Sequence, residues 1–164
     1  MKLLSVNTSP LSQLAAFGET LVTGMHKAPH AGAVQISRLG LAGDARTYAP
    51  SDVERAVLLY PAVYYDQWRA ELDRPLPFAT FAENLTFDGP TDTEVFIGDV
   101  LRIGSALLRV TQPRIPCYKL AARLDVGEDF PARYLRSGRV GFFCRVLQEG
   151  QVCATGGRYT HVRG

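Results

Sequence analysis

The residues best suited to chemistry lie in one short segment, Gln112 to Leu120, which reads Gln-Pro-Arg-Ile-Pro-Cys-Tyr-Lys-Leu. Cys117 has two cations close by, Arg114 three positions before it and Lys119 two positions after it. Nearby positive charge favours a thiolate, which can act as a nucleophile, a redox group or a ligand for a soft metal. The alternative is that Cys117 is a small apolar filler, because free cysteine is among the most buried residue types.

The elements around this segment predict a cysteine at the start of a helix. Ala106 to Thr111 alternates apolar and polar residues like a strand, whereas Tyr118 to Leu124 has helical spacing. At a helix start the first backbone N–H groups lack an intrahelical partner, so they add to the positive surroundings of Cys117.

Alternating patterns predict strands through much of the rest of the chain, including Lys2–Asn7, Thr20–Met25, Ala33–Ser37, Gly141–Leu147 and Arg158–Val162. Helical spacing predicts two further helices, Pro61–Leu72 and Phe130–Arg136. Cys144 falls on an apolar strand position and is expected in the core. Because strands dominate, the predicted fold is mainly β: a mostly antiparallel β-barrel with two or three peripheral helices.

Composition limits the possible function classes. The 164 residues are expected to form a single domain, 1–164, and a formal charge of +2 is too small to indicate binding to nucleic acid or to an anionic membrane. Three cysteines without a CxxC pair argue against a disulfide framework or a zinc ribbon. With no signal peptide and no apolar run that could span a bilayer, we expect a cytoplasmic protein.

Two other features have ordinary explanations. His26 and His30 have the spacing of a helical metal pair, but Pro29 disfavours helical backbone at Ala28, which excludes a zincin-type site. Leu39 to Asp44 contains two glycines and ends in a carboxylate, which is typical of a tight turn.

The order of these motifs resembles the MOSC domain family, named for the C-terminal domain of molybdenum cofactor sulfurases. The chain is most similar to its stand-alone bacterial members, the type related to 6-hydroxylaminopurine-resistance proteins. The matching segments run through nearly the whole chain, and the most specific of them is Gln112–Leu120; the others include Met25–Pro29, Leu39–Asp44, Arg55–Val57, Phe81–Leu85 and Arg145–Gly150.

The resemblance implies a β-barrel that binds the molybdenum cofactor, with Cys117 as the molybdenum ligand or as a sulfur-transfer residue. The pterin of this cofactor carries a phosphate, so its pocket needs cations and backbone donors. The candidate cations are Lys27, Arg46, Arg114 and Lys119. Asn84 is expected to hydrogen-bond the pterin edge, and Asp44 to accept from its ring N–H groups.

The stand-alone members are linked to the reduction of small N-hydroxylated bases to amines, with electrons from a separate flavin or iron–sulfur reductase. The resemblance therefore implies an oxidoreductase component. Two alternatives stay open: a non-redox carrier of the cofactor or of sulfane sulfur as a Cys117 persulfide, and a barrel without cofactor that binds a partner or a small ligand.

The third of these hypotheses is supported by a departure from the family pattern. The family usually carries a histidine and a glycine pair just before the segment that matches Arg55–Val57. Here the loop Ala45–Glu54 has neither. Ala82 also stands where the family prefers glycine. His26 or His30 is a possible substitute for the missing histidine.

Overall fold

Strands form where the sequence alternates, and they make up most of the regular structure. The computed structural model describes residues 2–49, 51–154 and 159–162. Its strands are β1 (Lys2–Thr8), β2 (Ser12–Ala16), β3 (Glu19–Thr23), β4 (Ala28–Pro29), β5 (Val34–Ser37), β6 (Gly40–Leu41), β7 (Val57–Pro61), β8 (Leu85–Asp88), β9 (Val100–Ile103), β10 (Ala106–Pro113), β11 (Phe142–Gln148), β12 (Gly150–Val152) and β13 (Tyr159–Val162). Arg158, the first residue of the predicted last strand, lies outside the described residues.

Within residues 2–49, 51–154 and 159–162 the strands form three open sheets. The largest has the order β13-β9-β10-β11-β7-β8-β1-β4, and all its pairs are antiparallel except β7 with β8. Strands β12, β5 and β6 form a second sheet, and β2 pairs with β3 in a third. The mainly β, mostly antiparallel prediction is confirmed, but the predicted closed barrel is wrong for the described residues. One edge of the large sheet is the two-residue strand β4, where Pro29 has no N–H to continue the ladder.

In the part of the chain that the structure describes, three α-helices accompany the sheets: α1 (Val63–Leu72), α2 (Tyr118–Leu124) and α3 (Phe130–Arg136). The last two match their predicted bounds. Helix α1 begins two residues later than predicted because Pro61 belongs to β7, where it pairs with Phe87 of the parallel neighbour. Within the described part of the chain, none of the helices is long and apolar enough to cross a membrane.

Two apolar clusters fill the interior of the described part of the chain. One combines residues of the large sheet with residues of the β12-β5-β6 sheet and includes Cys144, which is fully buried as predicted. The other is aromatic and joins α1, α2 and α3 to the end of β7, with Trp68 and Tyr134 stacked at 5.6 Å between ring centroids. Because α2 is anchored in this second cluster through Leu120, the helix start is held firmly beside the end of β10.

Candidate functional site

A cavity of about 380 Å³ opens where β10 ends and α2 begins. Its volume lies within the range usual for small-molecule sites. Its walls come from the end of β3 and the residues after it, the segment Asp44–Tyr48, the loop before β8, and the stretch that leads into α2. All seven predicted site residues line it: Lys27, Asp44, Arg46, Asn84, Arg114, Cys117 and Lys119. The roles assigned to them stay predictions.

Cys117 occupies the N-cap position of α2 and is exposed at the cavity wall. Its backbone is extended, with φ −118° and ψ 168°, and its carbonyl accepts the N–H of Leu120 at 3.0 Å. Pro116 before it supports this extended entry to the helix, since proline fixes its own φ and cannot donate. The thiol therefore faces a cavity and is not a core filler.

A buried ion pair forms one wall. Lys27 Nζ lies 2.5 Å from Asp44 Oδ1, and the two side chains are only 7% and 4% exposed. Burial lowers the pKa of Lys27, and the Asp44 carboxylate partly opposes that shift. Asp44 also accepts the backbone N–H of Ser9 at 3.1 Å through Oδ1 and the Asn84 amide at 2.8 Å through Oδ2.

The Asn84 side chain is also committed to the protein. Its Oδ1 accepts the N–H of Leu58 at 2.9 Å, while its Nδ2 donates to Asp44 and, at 3.4 Å, to the carbonyl of Asn7. Both Asp44 and Asn84 were expected to bind a pterin directly. Their hydrogen bonds within the chain orient Lys27 and the backbone around it, and their contacts with a pterin stay a prediction.

Arg114 is 6% exposed and holds the loop before β8. Its Nη1 donates to the carbonyl of Phe81, and its guanidinium lies 5.9 Å from the ring centre of Tyr134. Arg123 of α2 holds the same loop through the carbonyls of Ala79 and Thr80, at 2.9 and 2.8 Å. Both the Arg114 and the Arg123 guanidinium therefore already donate hydrogen bonds to backbone carbonyl oxygens of this loop.

Lys119 connects the start of α2 to β3. Its Nζ donates to the carbonyl of Val22 at 3.4 Å, a long hydrogen bond in an exposed setting. Across the part of the chain that the structure describes, neither Lys119 nor Arg114 forms an ion pair with a carboxylate. Their charges therefore contribute to a positive field in the cavity.

The loop that departs from the family pattern supplies a cation–aromatic cluster to the cavity. The Arg55 guanidinium lies 4.6 Å from the ring centre of Tyr48, and that of Arg46 lies 5.1 Å from it. The Tyr48 hydroxyl donates to the Arg55 carbonyl at 2.8 Å, which fixes the ring in place. Burial raises the pKa of this phenol, opposed by Arg46, so the hydroxyl stays protonated at neutral pH.

The cavity is also lined by residues that were not predicted as site residues, among them Met25, Tyr48, Gln112 and Phe143. Gln112 has a signal, since it begins the most specific motif segment. Tyr48 has no such sequence signal, because its position depends on the conformation of a loop, which secondary-structure propensities do not predict. The two candidate replacements for the missing histidine, His26 and His30, do not line this cavity.

Most of the charged side chains that line the cavity are cations, and Cys117 adds a thiol. Among the described residues, five that line the cavity carry positive charge, Lys27, Arg46, Arg55, Arg114 and Lys119, against one carboxylate, that of Asp44. Among the described residues there is no group of three His, Cys, Asp or Glu side chains that could hold a metal ion. A metal here would need Cys117 together with ligands from a small molecule. The arrangement suits an anionic ligand that carries its own metal donors.

Comparison with known proteins adds independent evidence. The chain is 40% identical to YflK of Bacillus subtilis over 151 residues and 33% identical to YiiM of Escherichia coli over 147 residues. It covers 68% and 65% of those proteins, with 91% and 87% of its own length aligned. A protein of Gibberella moniliformis named Reductase is 35% identical over 157 residues, 92% of this chain and 28% of that protein.

A solved structure agrees with the sequence matches. YiiM of Geobacillus stearothermophilus superposes with a TM-score of 0.80 at 29% identity, over 99% of this chain and 75% of that one. The model of the MOSC domain family matches residues 28–156, well over half of the chain. That range contains six of the seven predicted site residues, with Lys27 just before it. The chain belongs to the MOSC domain family.

Proposed function

We propose that the cavity binds a molybdenum cofactor and that the protein reduces small N-hydroxylated compounds to amines. The observation that carries this proposal is the convergence of a thiol and five cations on one cavity, from segments far apart in the chain. The relative named Reductase supports a reductive role.

The residues present fit such a cofactor. A thiolate suits a soft or borderline metal, and Cys117 is the one cysteine that lines the cavity among the described residues. A phosphate needs cations, and Lys27, Arg46 and Lys119 supply them. We assign Asp44 and Asn84 a positioning role, because their oxygens and amide already bind other parts of the chain.

When bound, the metal supplies the two-electron chemistry of the reaction. An N-hydroxylated compound takes up two electrons and two protons and yields the amine and water. The electrons come from a separate flavin or iron–sulfur reductase, and the chain's own groups bind and orient the reactants. Cys117 would hold the metal, while Tyr48, Phe143 and Met25 would offer apolar and aromatic surface to a flat substrate.

The test uses protein expressed in a host that makes the cofactor. Conversion of 6-hydroxylaminopurine to adenine is followed by chromatography, with a reduced viologen dye as electron source so that no partner protein is needed. We expect the wild type and Cys153→Ser to form amine, because Cys153 lies outside the cavity lining. Cys117→Ser should form none above the buffer control and should lose molybdenum.

Two results would contradict the proposal. Equal activity in Cys117→Ser and Cys153→Ser would show that Cys117 is not the molybdenum ligand. Stoichiometric molybdenum without amine formation would instead favour the carrier alternative.

A further inference from the structure

A second cavity adjoins the first one. Its volume is about 240 Å³, and its lining includes three consecutive residues at the turn between β5 and β6: Leu39, Gly40 and Leu41. Three more of its lining residues also line the first cavity: Asp44, Arg46 and Tyr48. The two cavities therefore share a border, and the β5–β6 turn, which has no part in the proposed function, forms a wall of the second one.

The turn that forms this wall is held in a fixed shape. Ser37 Oγ donates to the Gly40 carbonyl and accepts the Leu39 N–H, both at 3.3 Å. Gly40 has φ +117°, and a Cβ there would lie 2.7 Å from the Ala56 carbonyl oxygen, so this position requires glycine. The Leu39 side chain, 54% exposed, is therefore presented to the cavity by a turn that is already formed.

Another wall is a flat polar and aromatic surface made by Arg46 and Tyr48. The Arg46 guanidinium lies 5.1 Å from the ring centre of Tyr48. Both side chains donate to the Arg55 carbonyl, Arg46 through Nη1 at 3.2 Å and Tyr48 through its hydroxyl at 2.8 Å. Planar bases stack on aromatic rings and on guanidinium planes, and Leu39 and Leu41 add apolar surface. The lining therefore suits a flat heteroaromatic ring.

The sizes of the two cavities indicate what each can hold. Small-molecule sites usually enclose roughly 300–1,000 Å³. The first cavity, at about 380 Å³, is near the lower end of that range, so a ligand of the size of a pterin cofactor would take up most of it. The second, at about 240 Å³, lies below the range. It suits a single ring system better than a ring that also carries a sugar.

We propose that the second cavity binds a free planar base, a purine-type heterocycle without sugar or phosphate, against Leu39 and the Arg46–Tyr48 surface. This inference rests on the proposed function, because the base is then the ring of the N-hydroxylated substrate. Tyr48 borders both cavities, so a ring that contacts it can direct its N-hydroxyl group towards the first. Leu39 is then a specificity-determining residue outside the cofactor cavity.

The experiment measures binding without any electron source. Adenine, the amine formed from 6-hydroxylaminopurine, cannot be reduced further by this reaction and serves as the probe. It is titrated by calorimetry into protein from a host that makes the cofactor, and adenosine is titrated in parallel. We expect adenine to bind with a dissociation constant of about 1 mM or lower, and adenosine to bind at least about tenfold more weakly.

Leu39→Glu tests the location of the site, because Leu39 lines the second cavity and not the first. This exposed position should accept the change without loss of the fold. We expect the dissociation constant for adenine to rise at least about fivefold, since apolar contact is replaced by a charge. Leu135→Glu is the matched control: Leu135 is 51% exposed on α3 and lines neither cavity, so adenine binding should not change.

Two changes at Tyr48 test the stacking surface. Tyr48→Leu removes the ring but keeps apolar bulk, and it should also raise the dissociation constant for adenine at least about fivefold. Tyr48→Phe keeps the ring and should bind adenine as the wild type does. The same binding in Tyr48→Leu and Tyr48→Phe would contradict stacking on this residue.

Absence of adenine binding, or equal weakening by Leu39→Glu and Leu135→Glu, would overturn the inference. Adenosine binding as tight as that of adenine would overturn the preference for a base without sugar. Molybdenum content is measured on the same preparations. Molybdenum without adenine binding rejects only the second site, whereas adenine binding that Leu39→Glu weakens in protein without molybdenum supports the site and rejects the proposed function.

Discussion

At the scale of single residues, the buried ion pair Lys27–Asp44 should be the contact of the site whose disruption costs the most stability. Asp44→Asn keeps the shape but leaves a buried ammonium without its carboxylate, which costs about 3–5 kcal/mol. The loss should shrink as pH rises, because burial lowers the pKa of Lys27, the loss of Asp44 lowers it further, and the neutral amine needs no counter-ion. Urea unfolding at several pH values measures this.

The control for this prediction is Asp52→Asn. Asp52 pairs with Arg55 at the same 2.5 Å, but the two side chains are 24% and 38% exposed. An exposed pair contributes at most about 1 kcal/mol. If Asp44→Asn destabilised the protein no more than Asp52→Asn, the ion pair in the cavity wall would not have the importance given to it here.

The sequence and the family resemblance pointed to seven residues that line one cavity, but they could not show how these residues bond to one another. The segment Gln112–Leu120 holds its cysteine and cations within a few positions, so it can be recognised from the sequence alone. The contact of Asp44 with Asn84 joins residues 40 positions apart and depends on how the strands assemble. Only the structure shows that these two side chains bind each other.

At the scale of elements, the loop before β8 contains an alanine in a left-handed conformation. Ala82 has φ +60°, where the family prefers glycine, and its neighbour Ala79 has φ +74°. A left-handed alanine costs roughly 1 kcal/mol, so Ala82→Gly should raise the free energy of unfolding by a fraction of that amount. The urea midpoint is the measurement.

Ala132→Gly provides the opposite case. Ala132 is exposed within α3, where glycine is unfavourable by about 1 kcal/mol, so this change should lower stability. If both variants were destabilised alike, the left-handed strain at Ala82 would be contradicted. The left-handed backbone at Ala82 gives a physical reason for the family preference for glycine at this position.

Local signals decided which elements were predicted well. The bounds of α2 and α3 follow from helical spacing and from the glycine and polar residues that end them. Strand β2 was missed because Ser12–Ala16 is short and only weakly apolar, and it forms only by pairing with β3. Pro61 was wrongly assigned to α1 because its pairing with Phe87 is not local.

At the scale of the whole molecule, the buried tyrosines should set the alkaline limit of stability. Burial raises the pKa values of Tyr60, Tyr65 and Tyr134, and it raises the pKa of Tyr64 to about 12. Above pH of about 10 the unfolded chain loses these protons and the folded chain keeps them. The contribution of these tyrosines to stability is therefore fully present below pH of about 10 and decreases as the pH rises above that value.

Each fully buried tyrosine should lower the free energy of unfolding by about 1.4 kcal/mol per pH unit above about 10. Tyr134→Phe removes one such group and should make the slope shallower by that amount, at the loss of one hydrogen bond to the Val140 carbonyl. Urea unfolding from pH of about 8 to 11 tests this, and an unchanged slope in Tyr134→Phe would contradict it.

The global architecture was predictable only in class. Alternation along the chain correctly indicated a mainly β, mostly antiparallel fold, yet whether a sheet closes depends on its edge strands. Here the edge strands of the large sheet are β13 and the two-residue β4, which do not pair with each other, and the apolar pattern alone cannot distinguish this open arrangement from a barrel.

The most direct test of the central claim is the molybdenum content of the purified protein, with pterin measured by fluorescence after oxidative release. The protein must come from a host that makes the cofactor. We predict close to one molybdenum and one pterin per chain in the wild type, and we predict that Cys117→Ser loses both. A well-folded wild-type protein with neither would contradict the claim, and would mean that the Ala45–Glu54 loop, with its Arg46 and Tyr48, serves another ligand.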